Sequence, residues 1–260
     1  MKRIHPSAIV DPGAELADGV EIGPFCVVGP NVRLGEGVVL RSHAVVSGHT
    51  EVGRETHVFP FASLGEQPQD VKYKGEHTRL EIGARNMIRE QASIHPGTAL
   101  GGGTTRLGDD NMIMINAHVG HDCMIGSHVI VANNVMLAGH VVIEDYAYLA
   151  GGAAIQQRVR VGESVMVAAL SGLTQDAAPF TLVNGWPARV IKMNRVNLER
   201  RGLAAERIED VERAFRIIFR DGLRAHEAYA KVRAELPSSP EAERMVAFLE
   251  KSEHGFARRR

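Results

Sequence analysis

The chain has 260 residues, 30 basic against 31 acidic, for a formal net charge of -1, and this balance excludes any purely electrostatic case for a nucleic-acid or acidic-membrane partner. Two cysteines without CxxC spacing exclude a disulfide framework and fit a reducing compartment. The opening MKRIHPSAIVDPGAEL has no apolar run of signal-peptide length, and no later run reaches the roughly 20 apolar residues of a membrane helix. A soluble, cytoplasmic protein with no integral membrane segment is expected.

From the first residues onward the sequence has a period of six. Ile4, Val10, Leu16 and Ile22 begin an aliphatic series that continues to Leu64, resumes at Ile82, Ile88, Ile94 and Leu100, then slips by one and runs from Leu107 to Leu173. The residue two before each aliphatic is small or β-branched in 23 of 27 hexads, the exceptions being Lys2, Leu80, Asn86 and Asn111. On a period-two strand both positions face inward, one large and one small, as a narrow prism interior requires. A helix would need apolar spacings of three and four, so the pattern excludes one. It predicts a mainly β fold, a parallel β-helix of three short strands and 18 residues per coil, with about nine to ten coils over residues 1–192. Cys26 and Cys123 fall on the small inward position and read as core thiols.

Function is expected where the repeat breaks. A polar insertion, EQPQDVKYKGEHTR at residues 66–79, replaces two hexads without changing the frame. A second, GGGTTR at residues 101–106, has neither Walker nor Rossmann spacing and reads as a flexible loop.

From Met193 the spacing becomes helical. Ile208, Val211, Phe215, Ile218 and Phe219 mark one face, and ELPSSPEAERMVAFLE reads as a loop followed by another helix, giving a C-terminal helical domain over residues 193–260. This tail holds 15 basic residues against 12 acids, and Arg213, Arg216, Arg220 and Arg224 share one helical side. A solvated face is the simple reading of that stripe; an acidic partner is the functional one.

The stretch NAHVGHDC carries the clearest chemistry. Eighteen residues after His121 stands Gly139, and eighteen further Gln157, so coil stacking at about 4.8 Å places them in one column. His118 and His140 join the neighbourhood, and none of these residues is a hexad core position. General-base chemistry needs one neutral imidazole, an orienting group and an oxyanion donor. His121, Asp122 and the Gly139 N–H offer these, although Asp122 can face His121 only if the chain turns between them. No serine or cysteine stands in a nucleophile motif, which favours direct transfer.

The segments GEQPQDVKYKGEHTRLEIGARNMIRE, NMIMINAHVGHDC, ANNVMLAGHV and VNLERRGL, in this order, resemble the UDP-N-acetylglucosamine O-acyltransferase family. The resemblance implies left-handed β-helices assembled as a homotrimer, with active sites between subunits. It implies transfer of a 3-hydroxyacyl group from acyl carrier protein to the 3-hydroxyl of UDP-N-acetylglucosamine, the first step of lipid A synthesis, with no cofactor and no metal. By motif match His121 would be the base, Asp122 its orienting partner and Gly139 N–H the oxyanion donor. Gln69, Asp70, Lys72, His118, His140 and Gln157 would contact the sugar nucleotide, Asn194, Arg200 and Arg201 its nucleotide and phosphate portion, and Ala169 would act as the acyl-chain ruler. Gln156 and Val196 depart from the family pattern, where histidine and glutamate are common. The alternatives are N-acylation of an amino-sugar analogue and, from other classes, a zinc-dependent hydratase or a noncatalytic scaffold.

Overall fold

The computed structural model describes residues 1–258. Short parallel strands stack into three sheets of 11, nine and eight strands, and successive strands of the chain visit the first, second and third sheet in turn. Each coil therefore lies on the one before: Ile4 pairs with Ile22, Val10 with Val28 and Leu16 with Leu34. The architecture is a left-handed parallel β-helix followed by C-terminal helices.

The hexad aliphatics and their small partners fill the prism: Val28, Leu40, Leu64, Ile88, Ile113, Leu137 and Leu149 are fully buried, as are Cys26 and Cys123. Burial of each large aliphatic contributes about 1.5 to 3 kcal/mol. Leu100 is the exception to the predicted frame. It is 81 % exposed and lies in a 3-10 turn, Ala99–Gly101, rather than closing a strand. The second insertion is accordingly the segment 95–103, and residues 104–106 of the expected loop belong to a strand of the third sheet, Thr104–Leu107, which Leu107 closes as the frame requires. Five consecutive glycine and threonine residues, Gly101 to Thr105, permit either state; pairing of Arg79–Ile82 with Thr104–Leu107 decides it.

The two insertions lengthen their coils, so Val52 pairs with Ile82 and Ile82 with Leu107. Where the corners are displaced, the exceptional Asn86 and Asn111 repair the backbone. The Asn86 amide donates to Gly83 and Gly108 carbonyls at 2.8 and 2.9 Å, and its carbonyl accepts from Asn111 N–H at 2.9 Å. Inward asparagine thus supplies the partners that buried peptide groups require.

Corners between sheets place one residue in the left-handed region, including Phe61, Asp122, His140 and Tyr146. After the last coil, Thr181–Gly185 and Ala188–Met193 form an antiparallel hairpin. Helices α1 (Arg195–Arg200), α2 (Ala205–Phe219), α3 (Ala225–Glu235) and α4 (Pro240–Glu250) follow. The predicted face of α2 is buried through Ile208, Val211 and Phe215. Helix α3 carries only Ala228, Tyr229 and Val232 as buried residues, too sparse a stripe to stand out by period. Among the described residues no helix is long and apolar enough to cross a membrane.

Candidate active site

His118–Val119 belongs to the second sheet and Met124–Ile125 to the third, so His121 and Asp122 form the corner between them. Asp122 has φ 58°, and this left-handed step turns its side chain to the same side as His121. His121 Nδ1 lies 2.8 Å from Asp122 Oδ2, with the two residues 8 % and 4 % exposed. Thr98 donates its N–H to Oδ1 at 2.9 Å and its hydroxyl to Oδ2 at 2.7 Å. The Asp122 N–H donates to Thr105 Oγ1 at 2.8 Å. A carboxylate that accepts from all these groups requires Nδ1 of His121 to carry its proton, which leaves the Nε2 lone pair available as a base.

One coil on, Gly139 packs its α-carbon against the His121 ring, and the His140 N–H donates to the His121 carbonyl at 2.9 Å. Among the described residues the Gly139 N–H has no acceptor. The His140 ring meets that of His121 edge to face at 5.0 Å between centroids. His118 Nδ1 bonds Ser93 Oγ at 2.8 Å, and His118 contacts the ring of His95 edge to face at 5.1 Å. Burial lowers His118 and His140 below the ordinary histidine value and pushes His95 down to about 4, with the neighbouring imidazoles adding to the effect at all three. These rings are neutral hydrogen-bonding groups at neutral pH.

The first insertion folds back on this corner. Gln69 donates its N–H to His95 Nδ1 at 3.2 Å, and the Asp70 carboxylate lies near enough to His140 to oppose its lowering. Lys72 is exposed, its N–H tied to Asp70 Oδ1 at 2.9 Å. Gln157 is exposed on the next turn of the column, where Arg158 N–H donates to the Gly139 carbonyl. His95, Thr98 and Thr105 were not legible as site residues. Each occupies an ordinary strand-end or loop position, and only a 25-residue coil brings them to Asp122 and His118.

The remaining expected residues lie elsewhere on the chain. Arg201 stacks 3.9 Å from the Tyr146 centroid and pairs with Glu163 at 2.7 Å. Asn194 is buried, its amide donating to the Ser164 carbonyl at 2.8 Å. Arg200 lines a cleft of about 1470 Å³ with His128 and Tyr146. All three therefore belong to the corner between the third and first sheets, one corner away from His121. Ala169 is exposed at the corner between the first and second sheets, beside the exposed Leu170. Of the basic stripe, Arg213, Arg216 and Arg220 line the same cleft as Arg200, with Glu209 and Glu212 beside them and Arg213 also paired with Glu235. Arg224 does not share that helical side, because α2 ends at Phe219 and Arg224 caps the start of α3.

Donor atoms of His121, Asp122 and His140 lie within 4.8 Å of one another, close enough to surround a cation. An ion there would compete with the Thr98 and His121 hydrogen bonds to the carboxylate. The set as it stands is a hydrogen-bonded imidazole–carboxylate pair beside a backbone N–H with no acceptor among the described residues, an arrangement with the geometry that general-base chemistry needs.

A hexapeptide β-helix with such a dyad on a corner has the form of a hexapeptide-repeat transferase. The family model for bacterial transferase hexapeptides (six repeats) matches residues 13–48 and 104–139, and that described as Udp N-acetylglucosamine O-acyltransferase, Domain 2, matches residues 176–257. An acyl-[acyl-carrier-protein]--UDP-N-acetylglucosamine O-acyltransferase of Paracidovorax citrulli is 53 % identical, covering 99 % of this chain and 100 % of its own. The protein of the same name from Myxococcus xanthus is 48 % identical over the same shares. A solved UDP-N-acetylglucosamine acyltransferase from Bacteroides fragilis superposes with a TM-score of 0.95 at 38 % identity, covering 98 % of this chain and 100 % of that one. The chain belongs to the UDP-N-acetylglucosamine O-acyltransferase family.

Proposed function

We propose that the protein transfers a 3-hydroxyacyl group from acyl carrier protein to the 3-hydroxyl of UDP-N-acetylglucosamine, the first step of lipid A biosynthesis. The observation that carries the reading is the His121–Asp122 pair, its Nε2 unblocked and the Gly139 N–H unpaired one coil away. Nε2 removes the hydroxyl proton as the sugar oxygen attacks the thioester carbonyl. The tetrahedral oxyanion accepts a hydrogen bond from Gly139 N–H. Collapse expels the carrier thiolate, which takes the proton back from His121, so ester and thiol leave and the enzyme is unchanged. A positioned base contributes about two to four decades of rate, and an oxyanion donor about two to three.

Direct transfer needs no protein nucleophile, and the nearby thiol is unsuited to be one. Cys123 is buried in the core, and desolvation pushes it up to about 12. Gln69, Asp70, Lys72, His118, His140 and Gln157 surround the base as ligands for the sugar and diphosphate, the neutral imidazoles accepting or donating without charge. Asn194, Arg200 and Arg201 serve the nucleotide from a neighbouring copy in a homotrimer, because within one chain they occupy a different corner. The Arg216 and Arg220 face of the basic tail suits an acidic carrier protein. Acyl carrier protein as donor implies a cytoplasmic enzyme.

The test is acyl transfer from 3-hydroxyacyl carrier proteins to UDP-N-acetylglucosamine by wild type and His121→Ala. Wild-type turnover with a loss of about two to four decades in the variant is expected. Wild-type protein that acylates only an amino-sugar acceptor, or nothing, overturns the reading.

A further inference from the structure

The segment 96–103 contributes no residue to the transfer described above, yet it closes over the Asp122 carboxylate. Thr98 is 5 % exposed and gives both of its donors to that group, the N–H to Oδ1 at 2.9 Å and the hydroxyl to Oδ2 at 2.7 Å. The same Oδ2 receives His121 Nδ1 at 2.8 Å. A β-carbon on Gly101 would overlap the carboxyl group, and one on Gly97 would stand 2.8 Å from Oδ1. Glycine at both positions is what admits the carboxylate. The segment is itself pinned, since Gly97 N–H donates to the Arg79 carbonyl at 3.1 Å, Arg79 N–H to Gly103 at 2.8 Å and Gly103 N–H to Thr98 at 2.8 Å.

A buried carboxylate without fixed partners turns toward whichever donor is nearest. Here a competitor stands close by, because His140 Nδ1 lies 3.9 Å from Oδ2. The other titratable groups around the dyad are His118 and His95, with Asp70 and Arg158 acting on His140 and Glu66 on His95. None of these is shown bonding the Asp122 oxygens. Thr98 alone, with its loop, holds Oδ2 toward His121 and away from His140.

We propose that Thr98 is a positioning residue for the base, acting through Asp122 within a carboxylate cradle formed by Gly97, Thr98 and Gly101. It keeps the proton of His121 on Nδ1 and the lone pair on Nε2. The consequence for rate rests on His121 being the base of acyl transfer; the consequence for the tautomer does not.

Thr98→Val keeps the shape and the backbone donor and removes the hydroxyl, whereas Thr98→Ser retains it. In Thr98→Val, kcat falls about tenfold or more while KM for either substrate stays within about twofold, as loss of orientation rather than of binding requires. Thr98→Ser recovers most of the rate. The imidazole nitrogen shifts of His121, read by NMR on the substrate-free protein, show a smaller share of the Nδ1–H tautomer in Thr98→Val and recovery in Thr98→Ser. Gly101→Ala, which crowds the carboxylate from the other side and leaves Thr98 in place, gives the same kcat loss and tautomer change, and stands in if Thr98→Val does not fold. An unchanged rate and tautomer in Thr98→Val overturns the proposal, as does an equal loss in Val and Ser variants with the wild-type tautomer. Wild type that transfers no acyl group removes the functional reading alone, because the tautomer measurement still decides the role of Thr98.

Discussion

The Gly139 α-carbon faces the His121 imidazole so closely that a β-carbon would stand 2.5 Å from Cε1 and 2.6 Å from Nε2. The two residues are 18 apart, so coil stacking alone brings an unpaired N–H beside the ring. Gly139→Ala would push the imidazole off its bond to Asp122 and displace the oxyanion donor together. A loss of about two to three decades in kcat is expected, together with a lowered melting temperature, because a β-carbon at that distance forces a buried, hydrogen-bonded ring to move. Steady-state rates beside a thermal melt check this; an active Gly139→Ala would remove the oxyanion assignment.

Burial of His95 separates its folded and unfolded protonation. Its ordinary value of 6.5 falls to about 4 in the folded chain, with desolvation as the main cause and the neighbouring His118 and His121 next. Between those values the unfolded chain binds the extra proton, so stability rises with pH across the window and is lost as the solution is acidified from about 6.5 toward about 4. Denaturant unfolding across that range should show a shallower decline in His95→Gln than in wild type. Parallel curves would show that His95 does not contribute the term.

If the nucleotide ligands come from a neighbouring copy, two inactive variants should complement. His121→Ala and Arg200→Ala, each nearly inactive alone, should regain transfer when co-expressed, because some mixed trimers hold one site with both native residues. Rates of the co-purified mixture check it. Activity no higher than either parent would mean that Arg200 and His121 do not share a site.

Ala169 is exposed where the bound acyl chain is expected to end, and Ala169→Gly opens about one methyl of space. One buried methylene is worth about 0.8 kcal/mol, so preference between donors differing by two carbons should move several-fold toward the longer one. A panel of 3-hydroxyacyl carrier proteins of graded length measures this. An unaltered length profile would sink the ruler.

The hexad frame was legible because a buried prism demands the same two residue sizes at the same spacing in every coil, and each aliphatic but Leu100 closes a strand. Thr98 and Leu100 satisfy that pattern, yet they stand in a loop. Residue type cannot tell a small inward core position from a small residue that hydrogen-bonds a carboxylate. The helical tail was legible in α2 and α4, whose buried faces repeat at three and four, and hidden in α3, where the stripe is short.

By itself the sequence determined the coil, its 18-residue column and therefore the company of His121, Gly139 and Gln157, since strand periodicity and coil length are local properties repeated along the chain. The tertiary structure decided what no period encodes. The left-handed step at Asp122 turns its carboxylate toward His121, and the two long coils carry Gln69, His95 and Thr98 to that corner. It also decided the separation of Asn194, Arg200 and Arg201 from the base by a whole corner of the prism. Insertions break the arithmetic of the repeat, so where their residues land depends on which strands pair across the gap.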